Sequence, residues 1–130
     1  MIKYLLDTNI CIYLMKEQPP SVIKRFKHNR RGEIVISSVT LAELCCGLNI
    51  HNSQSQMTRL LREIDSIPFD TKAATTFGEL YQSFPSRRKS TFDKMIAAHA
   101  ISLDITLVTN NVADFSLYET CGLRLENWVA

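Results

Sequence analysis

The chain has 130 residues, 45% of them hydrophobic and 22% charged, with a formal net charge of +2. That length and balance fit one ordinary globular domain spanning residues 1–130, large enough to bury a core without disulfide help. The net charge is too small to announce a nucleic-acid binder by itself. Its distribution says more: Lys24, Arg25, Lys27, Arg30 and Arg31 form one basic run, and Arg87, Arg88, Lys89 and Lys94 form another. The first run reads as a solvated helix face. Met1 leads directly into an apolar strand, leaving no room for a signal peptide, and no apolar run approaches ~18 residues, so the expectation is a cytoplasmic protein without a membrane span. Cys11, Cys45, Cys46 and Cys121 contain no C-x-x-C pair and are expected to be buried, reduced thiols rather than zinc ligands.

In chain order, residues 2–6 predict a strand buried on both faces, and 9–16 a short helix ended by Pro19-Pro20. Pro20 suits the first position of the next helix, 20–29, where Val22, Ile23 and Phe26 have helical spacing. "EIVIS" (33–37) is a second strand, followed by a helix over 40–50 with Leu41, Leu44, Cys45 and Leu48 as its apolar stripe. Helices over 54–64 and 71–84 flank a short strand "SIPF" (66–69). "TFDKMIAAHAISLD" (91–104) is a helix whose buried side holds Phe92, Met95, Ile96, His99 and Leu103. A strand "ITLVT" (105–109), a short helix near 112–118 and a last strand near 123–126 complete the chain. Apolar strands alternating with helices argue for an α/β fold with a mainly parallel sheet, whose working site lies beyond the carboxyl ends of the strands.

Acids collect at that edge. Asp7 ends the first strand; Glu43 follows the second; Asp114 follows "ITLVT"; Asp93 opens the helix over 91–104. Each acid alone is explained by capping. Asp7 suits an N-cap, and Thr40 to Glu43, Ser90 to Asp93 and Asn111 to Asp114 have capping-box spacing. Capping does not explain why apolar strands repeatedly deliver acids to one rim. Crowded carboxylates raise one another's pKa unless a cation neutralises them, and a hard divalent ion such as Mg²⁺ or Mn²⁺ favours oxygen ligands of this kind.

The segments "LLDTNICIYL", "ISSVTLAEL", "FDKMIAAHA" and "LVTNNVADF" resemble, in order, the signature segments of PIN-domain proteins, and especially of VapC-type ribonuclease toxins of bacterial toxin–antitoxin pairs. The resemblance runs from Ile2 to Trp128. It implies a PIN-like three-layer α/β/α fold and an active site of Asp7, Glu43, Asp93 and Asp114, with Asp7 and Asp93 the principal metal positions. It also implies supporting roles for Asn9, Thr109 and Asn111. The implied activity is Mg²⁺- or Mn²⁺-dependent cleavage of structured RNA, with transfer RNA, and within it the initiator-tRNA anticodon stem-loop, as the expected target. The implied partners are a VapB-like antitoxin and a second copy of the chain. Relatives often carry Gly before the third acid, where this chain has Ser90-Thr91-Phe92, and some carry an acid at the position of Asn111.

Arg87, Arg88 and Lys89 immediately precede the Asp93 helix and are expected to contact RNA phosphates. A histidine acid–base nuclease finds little support. His28, His51 and His99 are scattered, and six residues from Asp93 to His99 turn a helix through about 600°, so the two point to different sides. His99 reads as a packing residue, since its neighbours at helical spacing are apolar. A non-catalytic RNA-binding or scaffolding PIN domain is the other alternative, but such a domain is expected to have lost one or more of the acids.

Overall fold

A computed structural model of the protein describes residues 1–51, 54–85 and 91–129. Its first strand, β1 (Tyr4–Leu6), alternates between two apolar layers. Leu5 packs with Val35 and Leu107 on one face, and Leu6 with Ile34, Ile36 and Val108 on the other. Such a strand needs helices on both sides. The chain supplies them as α1 (Thr8–Lys16), α2 (Pro20–Lys27), β2 (Ile34–Ser37), α3 (Ser38–His51), α4 (Gln54–Glu63), β3 (Asp65–Ile67), α5 (Thr71–Ser83), α6 (Thr91–Leu103), β4 (Thr106–Val108), α7 (Val112–Phe115), a 3-10 turn (Ser116–Cys121) and β5 (Arg124–Glu126). Leu80 of α5, Ile96 of α6 and Tyr118 of the 3-10 turn cover the Leu5 face. Ile10 of α1, Val22 of α2 and Leu60 of α4 cover the Leu6 face. The result is the expected three-layer α/β/α arrangement.

The strands lie in the order β3-β2-β1-β4-β5, all parallel. From β1 the chain builds outward through β2 and β3, then returns to place β4 and β5 on β1's other side. The order therefore reverses between β1 and β4, and the crevice beyond their carboxyl ends is the topological switch point. Among the described residues no helix is long and apolar enough to cross a membrane.

The observed elements match the expected ones within one or two residues at most ends, and several side chains differ. Phe92 is 54% exposed whereas Lys94 is buried. The reason is that α6 is enclosed over residues 94–100 and emerges only in its first turn, so a single apolar stripe describes it poorly. The Lys94 ammonium, placed in the sequence with the basic run, is hydrogen-bonded to the Phe84 carbonyl at the end of α5 and lies 5.1 Å from the Tyr81 ring centroid. Cys11 is buried as expected, but Cys121 is only half-buried and Cys45 and Cys46 are exposed, because the buried face of α3 around them runs through Thr40 and Leu44. In the first basic run Lys24, Lys27 and Arg30 are solvated, whereas Arg25 pairs with Glu126 and covers the Trp128 ring at 5.5 Å, and Arg31 reaches the Arg62 carbonyl and Asp65. The short helix expected near 112–118 is α7 followed by the 3-10 turn.

The capping box at Thr40 and Glu43 is also corrected. Helix α3 starts two residues earlier, at Ser38, and Ser37 Oγ caps it by accepting the Val39 N–H at 3.1 Å. Thr40 thus falls inside the helix, wholly buried, and its hydroxyl has no hydrogen-bond partner among the described residues. An unsatisfied buried hydroxyl costs about 1–3 kcal/mol. Thr40→Val keeps the branched shape and is expected to raise stability by about 1 kcal/mol in urea unfolding. A loss of stability instead would mean that the hydroxyl has a partner, such as a buried water.

Candidate active site

The site begins with the backbone of β1. The Asp7 N–H continues the ladder to the Val108 carbonyl at 2.9 Å, which fixes the residue where β1 and β4 end side by side. There the chain turns into α1 with Asp7 as its N-cap. Asp7 Oδ1 accepts the Thr8 N–H at 2.7 Å, and Oδ2 accepts the Thr109 hydroxyl at 2.8 Å across the switch point. Thr109 is itself committed. Its Oγ1 accepts the Asn111 N–H at 2.9 Å, so its one proton is left for Asp7. Only 4% of Asp7 is exposed, and its carboxylate is held at both oxygens.

The next two acids have partners of their own. Thr8 donates its hydroxyl to Glu43 Oε1 at 2.7 Å, joining the start of α1 to α3. Asn111 donates its side-chain amide to Asp114 Oδ2 at 2.6 Å. The Asn111–Asp114 capping box is therefore not formed: the contact runs between side chains, and the Asn111 N–H goes to Thr109 instead. Asp93 lies in the first turn of α6. Ser90, its capping-box partner in the sequence, lies outside the described residues, as do Arg87, Arg88 and Lys89. Asn9 is exposed on α1 and is not drawn into this hydrogen-bonded set among the described residues.

Electrostatics show that the acids share one environment. Burial, then the charges of Asp7, Glu43 and Asp114, push the Asp93 carboxyl up from the usual 3.8 to about 6. Burial raises Asp7 as well, against the opposing hydrogen bonds from Thr109 and Thr8. Glu43 is raised by burial and by Asp7, while Thr8 pulls the other way. The Cys11 thiol beneath them is raised by burial, Asp7 and Glu43, and the Tyr118 phenol by burial, Asp93 and Asp114. Among the described residues no group of three or more His, Cys, Asp or Glu side chains stands ready to hold a metal ion. Mg²⁺ asks for less: it is commonly held by one or two carboxylates, with water and substrate phosphate completing its shell. An all-oxygen donor set of this kind fits such an ion.

Comparison with known proteins places the chain in a family. Residues 4–119 match the PIN domain model. The chain belongs to the PIN-domain family. Within it the similarity is to VapC proteins. The chain is 40% identical to the tRNA(fMet)-specific endonuclease VapC of Shigella flexneri, over 98% of this chain and 99% of the relative. It is 35% identical to ribonuclease VapC2 of Haemophilus influenzae, over 99% and 100%. Among solved structures, DNA-bound VapBC from Salmonella typhimurium superposes with a TM-score of 0.84 at 34% identity, covering 98% of this chain and 99% of that one. VapBC2 from Rickettsia felis, bound to a fragment of its promoter, gives 0.79 at 35%, covering 98% and 99%.

Some of what arranges this PIN domain's acids was not singled out in the sequence. Thr8 holds both Asp7 and Glu43, and its place beside the first acid is the only local sign. His99 is buried, as its helical spacing suggests, and its Nδ1 lies 2.7 Å from Ser37 Oγ, the oxygen that caps the Glu43 helix. No pattern in the sequence pairs those two residues.

The raised Asp93 carboxyl has a testable sign. Below about pH 4 it is protonated in both folded and unfolded chains and costs nothing; as pH rises through about 6 the folded state alone bears the penalty of ionising it. Divalent-free native protein should therefore lose stability between those pH values relative to Asp93→Asn. At pH 7.5 the variant should be the more stable by about 1–2 kcal/mol after allowance for partial exposure. Melting curves across pH 4–8 in EDTA check this. Parallel curves for the two proteins would contradict it.

Proposed function

We propose that the chain is a divalent-metal-dependent endoribonuclease, the toxin of a VapBC-like pair, acting as one domain over residues 1–130. The observation that carries this reading is the Asp7 carboxylate, buried at the switch point, held at both oxygens, and sharing its field with Glu43 and Asp93. A non-catalytic RNA-binding or scaffolding domain has no need of acids that destabilise one another. Asp7 and Asp93 are the residues that would hold Mg²⁺ or Mn²⁺. When bound, such an ion lowers the pKa of a coordinated water and polarises a phosphoryl oxygen.

The chain's own groups have distinct tasks. Thr109 and the Thr8 N–H orient Asp7. Glu43, with Oε1 engaged by Thr8, keeps Oε2 available to accept a hydrogen bond and then a proton from the attacking water. Asp114, steadied by Asn111, completes the acidic wall, with Asn9 at the pocket edge. The substrate follows from the relatives: structured RNA, transfer RNA first and the initiator tRNA within it, so that cleavage stops translation. The similarity to VapBC complexes supports a VapB-like antitoxin as partner; a homodimeric toxin and a cytoplasmic setting belong to the same proposal.

Asp7→Asn separates capping from chemistry, because Asn caps a helix about as well as Asp. The variant should fold, yet lose RNA cleavage by at least about a hundredfold, since an interaction needed for the chemical step is gone. Native cleavage should require Mg²⁺ or Mn²⁺ and stop in EDTA. Cleavage that persists unchanged in excess EDTA would sink the metal-dependent reading.

Arg87, Arg88 and Lys89 are assigned to RNA phosphates. Replacing all three by Gln should flatten the salt dependence of RNA binding, by nearly one unit of slope for each phosphate no longer neutralised. Replacing the solvated Lys24, Lys27 and Arg30 should leave the slope where it was. Equal slopes for both triple variants and the native chain would withdraw the assignment.

A further inference from the structure

Phe92 stands immediately before Asp93 in the first turn of α6 and is 54% exposed, while the helix beyond it is enclosed. A lone exposed apolar side chain is ordinary on a protein surface. The place of this one is not. Successive helix residues are about 100° apart, so the ring leaves the helix about 100° round from the Asp93 carboxylate. Phenylalanine is also no better than average as a helix former, so the backbone gives no reason for it there.

The pocket itself poses a problem for its substrate. A phosphate entering it meets the acids Asp7, Glu43, Asp93 and Asp114 and is repelled by those that are ionised. A contact indifferent to phosphate charge would add to the attraction of the metal ion and of the basic run. Stacking of an unpaired base on an aromatic face is such a contact, worth roughly ten- to a hundredfold in affinity per base. Loops of folded RNA offer unstacked bases of this kind. Phe92 supplies an open ring one residue from the acid. We propose that Phe92 is a substrate-binding residue that stacks an unpaired nucleobase beside the phosphate to be cleaved. The proposal rests on the ribonuclease reading and adds the element that sets which nucleotide flanks the cut.

The test compares Phe92→Tyr, Phe92→Trp, Phe92→Leu and Phe92→Ala in the full chain, acting on a short stem-loop RNA. Leu keeps most of the apolar area and loses the aromatic face. Leu and Ala should raise KM about tenfold with kcat changed by less than about twofold, whereas Tyr and Trp should retain the native KM. Leu61→Ala, at an exposed apolar position on α4, is the control and should match native. The emission of Phe92→Trp should be quenched by the same RNA; Trp128 is buried, so the change reports position 92. Leu equal to Tyr in KM, or Trp emission indifferent to bound RNA, overturns the proposal. So does a shift from dimer to monomer in Phe92→Ala on sedimentation, which would give the ring to a contact between copies. If the native chain fails to cleave RNA while the Trp signal still responds, the ribonuclease reading fails and stacking stands. Native cleavage insensitive to residue 92 gives the reverse.

Discussion

The carboxylate of Asp7 is the point on which the molecule turns. It ends a strand packed on both faces, so its position is fixed by the core and by the β1–β4 ladder. It caps α1, so it also sets where that helix begins. Its two oxygens then bind groups that arrive from opposite directions, the Thr8 N–H and the Thr109 hydroxyl. Burying a carboxylate is costly unless its hydrogen-bonding capacity is met, and here two donors meet part of it. Glu43 is tied in through Thr8, and Asp114 through Asn111 and Thr109. Capping and site-building are thus not alternatives at Asp7: one side chain does both.

The price of that arrangement is electrostatic. Thr8, Thr109 and Asn111 orient acids but carry no positive charge, so the repulsion is shared rather than cancelled. Burial, and then that repulsion, push the Asp93 carboxyl up to about 6. The Lys94 ammonium, beside Asp93 in sequence, is hydrogen-bonded to the Phe84 carbonyl and lies near the Tyr81 ring. Crowded carboxylates suit a divalent cation, and their destabilisation is borne by the packed sheet beneath.

The alternation of apolar strands and helices was enough to place the elements, because strands buried on both faces read as unbroken apolar runs and their ends are marked by acids and turn residues. Three acids stood out for the same reason: Asp7, Glu43 and Asp114 each follow an apolar strand, whereas Asp93 opens its helix. Side-chain orientation was less legible. Phe92 and Lys94 exchange the burial that their chemistry suggests, since the enclosure of α6 depends on α5 and on neighbours distant in sequence. Thr40 and Glu43 have capping spacing, but Ser37 takes the cap because the helix starts as soon as β2 ends. The Ser37–His99 contact joins residues 62 apart and has no local signature.

The central claim is that these acids share one field that a divalent cation relieves. Proton release on metal binding measures it directly, since a ligand carboxyl must give up its proton to bind. Calorimetric titration of Mn²⁺ into the free protein, in buffers of different ionisation enthalpy, should show about half a proton released per chain near pH 6, where Asp93 is half-protonated. The release should fade above pH 7.5 and be lost in Asp93→Asn. Binding with no proton release at pH 6, or an Asp93→Asn titration indistinguishable from native, would contradict it.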